Sequence, residues 1–360
     1  MTEKGFERQM QIYLDNNSLG KLALELCGAS FDDSLQKARE KIAALLGAKS
    51  SEEIIFTSSG SESNRVAILS FIKAASQKKH IVATPIEHNS VRRILGFLSK
   101  KGFDISFVEI SSEGLIDIER LKKSLRKDTL LVLIIAADAE TGITLPVNEI
   151  ASVVKNYSDA FFYTDAAMAL GKIPFAVKDA QIDALGVSGH KIHGPKGIGA
   201  LYVRKDLLKF FRKVKFSSVK ASAFGKAAEL SMDFSQVEKI KKMRDELEKQ
   251  IAEKLPEAKI LFRKSARLPN TSVICFPSMN GELIISKLSK YGIVTSTSAV
   301  CYLKEHKPSP SFLAMNVAYS DVIGSVRFSL SRYNTEEEIM FVVEKLGEAI
   351  KELKVVSGTV

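Results

Sequence analysis

Tryptophan is absent from this 360-residue chain, and cysteine occurs only three times. So few cysteines cannot build a disulfide framework at this length, and a reducing compartment is expected. Glycine and proline, at 21 and 9 residues, are too sparse for a collagen-like or linker-like chain. Long hydrophobic runs are also missing. The longest, Leu130 to Ala137, is far too short to span a bilayer. The start, Met-Thr-Glu-Lys-Gly-Phe-Glu-Arg, has no apolar core behind a basic segment, so no signal peptide is expected. These absences lead to the expectation of a soluble, cytoplasmic protein. Hydrophobic residues make up 45% and charged residues 26%, enough for a large core in two or three packing units. The formal net charge is +10, which leaves nucleic acid, membrane surfaces and anionic small molecules open as partners.

The middle of the chain alternates short apolar runs with amphipathic stretches. Strands are expected at Ile54–Thr57, His80–Thr84, Ile105–Ile110, Leu130–Ala136, Ala160–Thr164, Ala184–Ser188 and Ala200–Arg204. Several are continuously apolar, as in strands covered on both faces. Helical spacing falls between them at Ser61–Gln77, Asn89–Lys101, Ile118–Leu125 and Val147–Tyr157, with another helix before them at Ser34–Leu46. That alternation predicts an α/β layer around a mostly parallel sheet. Arg212 to Lys226 is basic, rich in Ser and Ala, and shows no clear period. Beyond it the pattern predicts a helix (Gln236–Leu255), a strand (Ser272–Phe276), a helix (Gly281–Tyr291), a loop (Thr295–Pro310), a strand (Gly324–Leu330) and a final helix (Thr335–Leu353). A compact α+β unit follows, with a boundary near residue 232.

Six places carry candidate chemistry. In Ser188-Gly189-His190-Lys191-Ile192-His193-Gly194-Pro195-Lys196-Gly197, Lys191 sits on a turn after a strand, where sheet proteins place ligands. A lysine there can act as a Schiff-base nucleophile beside a phosphate site. A basic surface loop is the bland alternative, and the density of glycines argues against it. Asp165 ends an apolar strand, where it either caps a helix or meets a cation such as a pyridinium nitrogen. Thr57 to Asn64 places small hydroxyl residues and Gly60 at a helix start, which suits a phosphate. The same stretch reads as a capping box, Ser59 with Glu62, and both readings hold together. His88 is either a surface histidine or one that stacks on a flat cofactor or moves protons. Cys301 lies in a polar loop, as reactive thiols often do, whereas Cys27 and Cys275 read as core. Arg327, in an apolar strand, needs an anion: a substrate carboxylate or a structural salt bridge.

These segments, in this order, resemble the class V aminotransferase family of fold-type I pyridoxal phosphate enzymes, and within it the cysteine desulfurases of the NifS/IscS type. Ser188 to Gly199 is the most specific match. Tyr13-Leu14-Asp15-Asn16-Asn17, Ile86-Glu87-His88, Asp165-Ala166-Ala167, Arg267-Leu268-Pro269-Asn270-Thr271 and Ser325-Val326-Arg327-Phe328-Ser329-Leu330 also fit. The resemblance implies a large domain with a mostly parallel seven-stranded sheet (16–232) and a smaller α+β domain (1–15 with 233–360). It implies pyridoxal 5'-phosphate as cofactor, on Lys191. Asp165 would meet the pyridine nitrogen, His88 the ring, and Gly60, Ser61, Ser188 and His190 the phosphate. Arg327 and Asn16 would bind the substrate, L-cysteine or a related amino acid, and Cys301 would take its sulfur, leaving alanine. A homodimer and a sulfur-acceptor protein are implied as partners. No metal, membrane or nucleic acid is expected, although the basic stretch Lys205–Lys226 motivates a scaffold reading that a solvated charged face explains as well.

The departures are specific. The family's Asn-Asn-Glu-x-Gly reads Asp138-Ala139-Glu140-Thr141-Gly142 here, and the Gln of its Asp-Ala-x-Gln is Met168. Both changes remove donors to the cofactor's phenolic oxygen, so the pKa of the lysine–cofactor imine is expected to rise. The segment between Ser18 and Gln36 is shortened, and a Gly-rich run is missing from Arg212–Phe234. Where the family reads Ser-Ala-Cys, this chain reads Ser298-Ala299-Val300 and then Cys301, which fits one inserted residue. A modified site admits selenocysteine or cysteine sulfinate as substrate for a related lyase or aminotransferase, or a catalytically weak scaffold.

Overall fold

A computed structural model describes residues 11–18, 20–26, 35–297 and 308–356. In chain order the elements are β1 (Ile12–Tyr13), α1 (Leu35–Leu46), β2 (Ile54–Thr57), α2 (Gly60–Ala74), β3 (His80–Ala83), α3 (Asn89–Ser99), β4 (Asp104–Phe107), α4 (Ile118–Ser124), β5 (Thr129–Leu133), α5 (Val147–Tyr157), β6 (Phe161–Asp165), β7 (Ala184–Ser188) and β8 (Gly199–Val203). There follow α6 (Ser218–Leu230), α7 (Phe234–Lys254), β9 (Lys259–Leu261), β10 (Thr271–Cys275), α8 (Gly281–Lys290), β11 (Ile293–Val294), α9 (Pro310–Ala314), α10 (Tyr319–Ile323), β12 (Ser325–Ser329) and α11 (Glu336–Val356).

Seven strands form one sheet in the order β2-β8-β7-β6-β5-β3-β4. Only β8 runs against its neighbours; every other pairing in the sheet is parallel. The continuous apolar runs arise because both faces are covered. Successive residues of a strand point to opposite sides. Val82, Val132 and Phe162 therefore join one cluster with Ile42 of α1, Ile150 of α5 and Phe224 of α6. Ile81, Leu131 and Tyr163 join another with Val66 of α2 and Val91 of α3. The edge strand β4 is shorter than its apolar pattern predicts. Asp104 and Phe107 are exposed there, and Ile110 makes only an isolated bridge to Ile116.

A second sheet, β12-β10-β9, is antiparallel, and α7, α8 and α11 bury its core. The N-terminal strand β1 pairs with β11 in parallel, and Ile12 and Leu14 pack in this second cluster.

The short elements β1, β9, β11, α9 and α10 escape the sequence pattern, and so does one full-length helix. The stretch with no clear period contains α6, whose residues Ala221, Ser222, Ala223, Phe224, Gly225, Ala227 and Ala228 are all buried. A helix enclosed on most sides has no polar face to mark its period. Its small residues let it lie directly on α1. A β-carbon at position 225 would come 2.7 Å from Ala38 Cα and 2.8 Å from Ala38 Cβ. Both belong to Ala38 of α1, one in the helix backbone and the other bonded rigidly to it, so neither can swing aside. Gly225→Val is therefore expected to lower stability by about 1–3 kcal/mol, the usual cost of overpacking, seen as a reduced thermal midpoint. An unchanged midpoint would show that the α1–α6 contact is looser than described.

Candidate active site

Because β2, β3, β5, β6 and β7 run the same way, their C-terminal ends meet at one edge of the sheet. An open cleft of ≈ 730 Å³ lies there, the usual ligand position in such sheets. Gly60, Ser61, His88, Asp165, Ser188, His190 and Lys191 all line it.

The start of α2 forms one wall. Ser59 caps the helix by accepting from Glu62 N at 3.1 Å. The Glu62 carboxylate reaches past the cap and accepts from Ser58 N and Ser58 Oγ at 2.7 and 2.5 Å. The capping box expected of Ser59 and Glu62 is thus half made, with Ser58 as the second partner. Gly60 and Ser61, in the first turn, carry N–H groups that the helix itself cannot satisfy. A β-carbon on Gly60 would lie 3.1 Å from Ser188 Cβ, so the helix start is seated tightly on the end of β7.

After β7 a 3-10 turn, Gly189–Ile192, presents His190 and Lys191. Ser188 Oγ and His190 Nδ1 are 3.0 Å apart. Burial, with Lys191 adding, pulls His190 down to about 4. Lys191 Nζ donates to the carbonyls of Asn17 at 2.5 Å and Ser18 at 3.1 Å. Burial, with Arg327 adding and Asp15 and Asp165 opposing, pulls its pKa down to about 8. The lowering shifts it toward free amine, the form that attacks carbonyls. Lys172 Nζ donates to Met168 O at 3.0 Å and is pulled to about 7, chiefly by burial and then by Lys191.

Asp165 ends the central strand β6 and is 5% exposed. It accepts from Asn64 Nδ2 at 2.7 Å and from Ala167 N at 3.0 Å. No cation pairs with it among the described residues. Beyond β3, His88 caps α3 through Nδ1, which accepts from Ser90 N at 3.2 Å, and its ring is exposed to the cleft. Its neighbour Glu87 is buried and accepts from Thr84 Oγ1 at 2.6 Å and Ile135 N at 2.7 Å. Burial drives Glu87 up to about 8, with Asp165 adding to the rise.

At the departures from the family pattern, Asp138 accepts from Thr141 N, Thr141 Oγ1 and Ser311 Oγ, and Glu140 pairs with Ser309. Burial raises both carboxyls above the usual range. The backbone of Ala139 still contributes, because its carbonyl accepts from Arg327 Nη1 at 3.0 Å. Met168 is buried on the cleft wall.

Two candidates sit apart. Arg327 is buried on β12, and its Nη2 donates to Asp15 Oδ1 at 2.9 Å and to Ser18 Oγ and Ser296 Oγ at 2.6 Å each. It therefore makes the salt bridge weighed as an alternative, and touches the cleft through Ser18 and Ala139, which line it. Asn16 donates to Ser329 O at 2.9 Å and faces a smaller cavity on the other side of Lys191. Cys301 and Cys27 lie outside the described residues. Cys275 is buried, its thiol pushed up to about 12 by burial and then by Asp321. Arg65, Arg92 and Arg93 also line the cleft, unmarked by any motif. So do Asn64's partners Asp165 and Ser90.

The raised pKa of Glu87 has a consequence for stability. Between its ordinary value of 4.5 and about 8 the folded chain holds a proton that the unfolded chain has lost. Stability from this group is complete below 4.5 and is lost as pH rises through about 8. Glu87→Gln keeps an Oε1 acceptor for Thr84 and Ile135 and carries no charge. Its thermal midpoint is expected to gain on the wild type by a few degrees across that window. A constant difference would mean that Glu87 is already ionised at the low end.

Comparison with known proteins agrees with this geometry. The family model for aminotransferase class-V matches residues 4–223 and 217–342. A cysteine desulfurase of Nostoc sp. is 36% identical over 96% of this chain and 94% of its own length. A solved NifS-like protein superposes with a TM-score of 0.85 at 29% identity, covering 95% of this chain and all of that one. The structure described as SspA in complex with cysteine gives a TM-score of 0.76 at 28% identity, over 90% of this chain. With the seven-stranded sheet and the site at its strand ends, these matches show that the chain belongs to the class V aminotransferase family.

Proposed function

We propose that this chain is a pyridoxal phosphate-dependent cysteine desulfurase, converting L-cysteine to alanine while its sulfur passes to a protein thiol as a persulfide. The observation that carries the reading is the convergence of three unlike groups on one cleft: Lys191 with a lowered pKa, buried Asp165 with no cation paired to it among the described residues, and the open N-terminus of α2.

Those groups fit the cofactor. The N–H groups of Gly60 and Ser61, with Ser188 and His190, form a cradle for a phosphate, and the helix dipole favours an anion there. Asp165 supplies the charge that a protonated ring nitrogen would neutralise. His88 stands over the same space. When bound, pyridoxal phosphate supplies an electron sink for bonds broken at the amino acid's α- and β-carbons. Lys191 holds the cofactor through its amine, and its lowered pKa keeps that amine available. Arg327 and Asn16 are assigned to the substrate carboxylate and Cys301 to the sulfur.

The names of the relatives support cysteine as the substrate, and the complex of SspA with cysteine supports it further. A homodimer, a separate sulfur-acceptor protein and a cytoplasmic setting belong to the same proposal. Among the described residues no helix is long and apolar enough to cross a membrane. We also propose the division into a large unit, 16–232, and a small one, 1–15 with 233–360. The packing of Ile12 and Leu14 against α7 and α11 supports it.

Purified chain given pyridoxal phosphate is expected to gain a visible absorbance band that Lys191→Ala abolishes. Failure of the wild type to gain it would end the cofactor reading. With L-cysteine, the loaded protein is expected to form alanine and sulfide in equal amounts in the presence of a reductant. Cys301→Ser should stop sulfide release and keep the band. Full activity in that variant would remove Cys301 from its role, and keto acid or selenide as the better product would point to a related lyase or aminotransferase.

A further inference from the structure

Asp165 and His88 stand on different strand ends and make no direct bond, yet one buried side chain joins them. Asn64, on α2, is 1% exposed. Its Nδ2 donates to Asp165 Oδ2 at 2.7 Å and to Ser90 Oγ at 2.8 Å, and its Oδ1 accepts from Tyr163 Oη at 2.5 Å. The direction of this chain is fixed by chemistry. An ionised carboxylate only accepts, so the Asn64 amide must turn its NH2 to Asp165 and its oxygen to the phenol. Tyr163 is equally constrained, because burial raises its pKa well above the ordinary value and keeps it a donor. The room for this junction is provided by Gly186 on β7, where a β-carbon would collide with the Tyr163 hydroxyl.

The direction carries through Ser90. Its hydroxyl accepts from Asn64 and lies 2.7 Å from His88 Nδ1. The backbone N–H of Ser90 also points at Nδ1, at 3.2 Å. A ring nitrogen that accepts from a backbone N–H cannot carry a proton itself, so the Ser90 hydroxyl beside it donates as well. The neutral imidazole then has its proton on Nε2, the nitrogen left for the cleft.

We propose that Asn64 and Ser90 are positioning residues that orient the Asp165 carboxylate and hold His88 in its Nε2–H tautomer, so that His88 presents a hydrogen-bond donor to whatever occupies the cleft. The two ring-contacting groups are thereby set by one amide, and a change at either end reaches the other through it. The meaning of this for catalysis rests on the function proposed above; the relay itself belongs to the chain alone.

The test reads ring nitrogens, not turnover. Full-length chain labelled with 15N-histidine contains five histidines, and His88→Gln identifies the signal of interest. Long-range proton–nitrogen correlation spectra of the wild type, without and with pyridoxal phosphate, are expected to show His88 protonated on Nε2 with Nδ1 as acceptor. Ser90→Ala should shift the Nδ1 signal toward that of an unbonded nitrogen, and Ser90→Thr should restore it. Asn64→Leu should move the same signal, although the substituted side chain reaches the ring only through Ser90. A role in packing alone would leave it in place. A wild-type His88 with its proton on Nδ1 overturns the proposal, as does a signal unmoved by both Ser90→Ala and Asn64→Leu. If Asn64→Leu fails to fold, the wild-type tautomer and the Ser90 pair still decide. A chain with the expected tautomer but no cofactor band refutes the proposed function and leaves the relay standing; a band with the wrong tautomer does the reverse.

Discussion

A carboxylate buried at the end of the central strand, without a cation beside it among the described residues, is the constraint on which the site depends. Burying an ionised group costs several kcal/mol unless donors and charge compensate. Asp165 receives two N–H donors, from Asn64 and Ala167, and is electrostatically felt by Lys191. Each compensation comes from a different element. The strand order places β6 between β5 and β7, α2 brings Asn64 over it, and the turn after β7 brings Lys191. The parallel sheet is therefore what makes the carboxylate tolerable and also what gathers the remaining groups around it.

The basic residues divide by depth. Around Lys191, burial is the leading cause that lowers His190 to about 4, Lys191 itself to about 8 and Lys172, in the smaller neighbouring cavity, to about 7. Positive charge is costly there, and a nucleophilic amine gains by it. Arg65, Arg92 and Arg93 also line the cleft, Arg65 and Arg93 exposed and Arg92 half-buried, and add positive charge to its wall. Part of the +10 charge thus lies along the cleft. Elsewhere many of the charges sit in exposed pairs such as Lys259–Asp321 and Lys287–Glu352, each worth little.

The strands of the large sheet, β10, β12 and the longer helices except α6 were legible because burial on both faces leaves apolar runs and half-exposed helices keep a period, whereas β1, β9, β11, α9 and α10 are too short to show one. β2, β7 and α5 match their expected bounds residue for residue. α6 was not legible, because a helix of small buried residues has no polar face to mark it. Lys191, Asp165 and the start of α2 could be read from turn chemistry at strand ends. Asn64 could not be singled out. In sequence it is one more polar residue in a helix start, and its importance comes from Tyr163, Ser90 and Asp165, up to 101 positions away. Ser90 looks like an ordinary helix-start serine for the same reason. Arg327 was readable as a buried cation needing an anion, but its anion, Asp15, lies 312 residues earlier and is reached only through the fold.

That arginine sets the terms for any ligand carboxylate under the proposed function. Nη2 is shared among Asp15, Ser18 and Ser296, and Nη1 is taken by Ala139, while Nε is buried without a partner among the described residues. Breaking a buried ion pair by removing one partner costs about 3–5 kcal/mol, whereas exchanging one carboxylate for another conserves most of that energy. Ser18 and Ala139 both border the cleft, so the exchange would take place at its wall. A ligand carboxylate arriving there would release Asp15, which also accepts from Ser296 Oγ at 2.8 Å and can keep that bond. The Asp15 carboxylate thus keeps the guanidinium compensated while no ligand is bound. The fork geometry of arginine then favours a planar carboxylate over a neutral side chain as the group that replaces it.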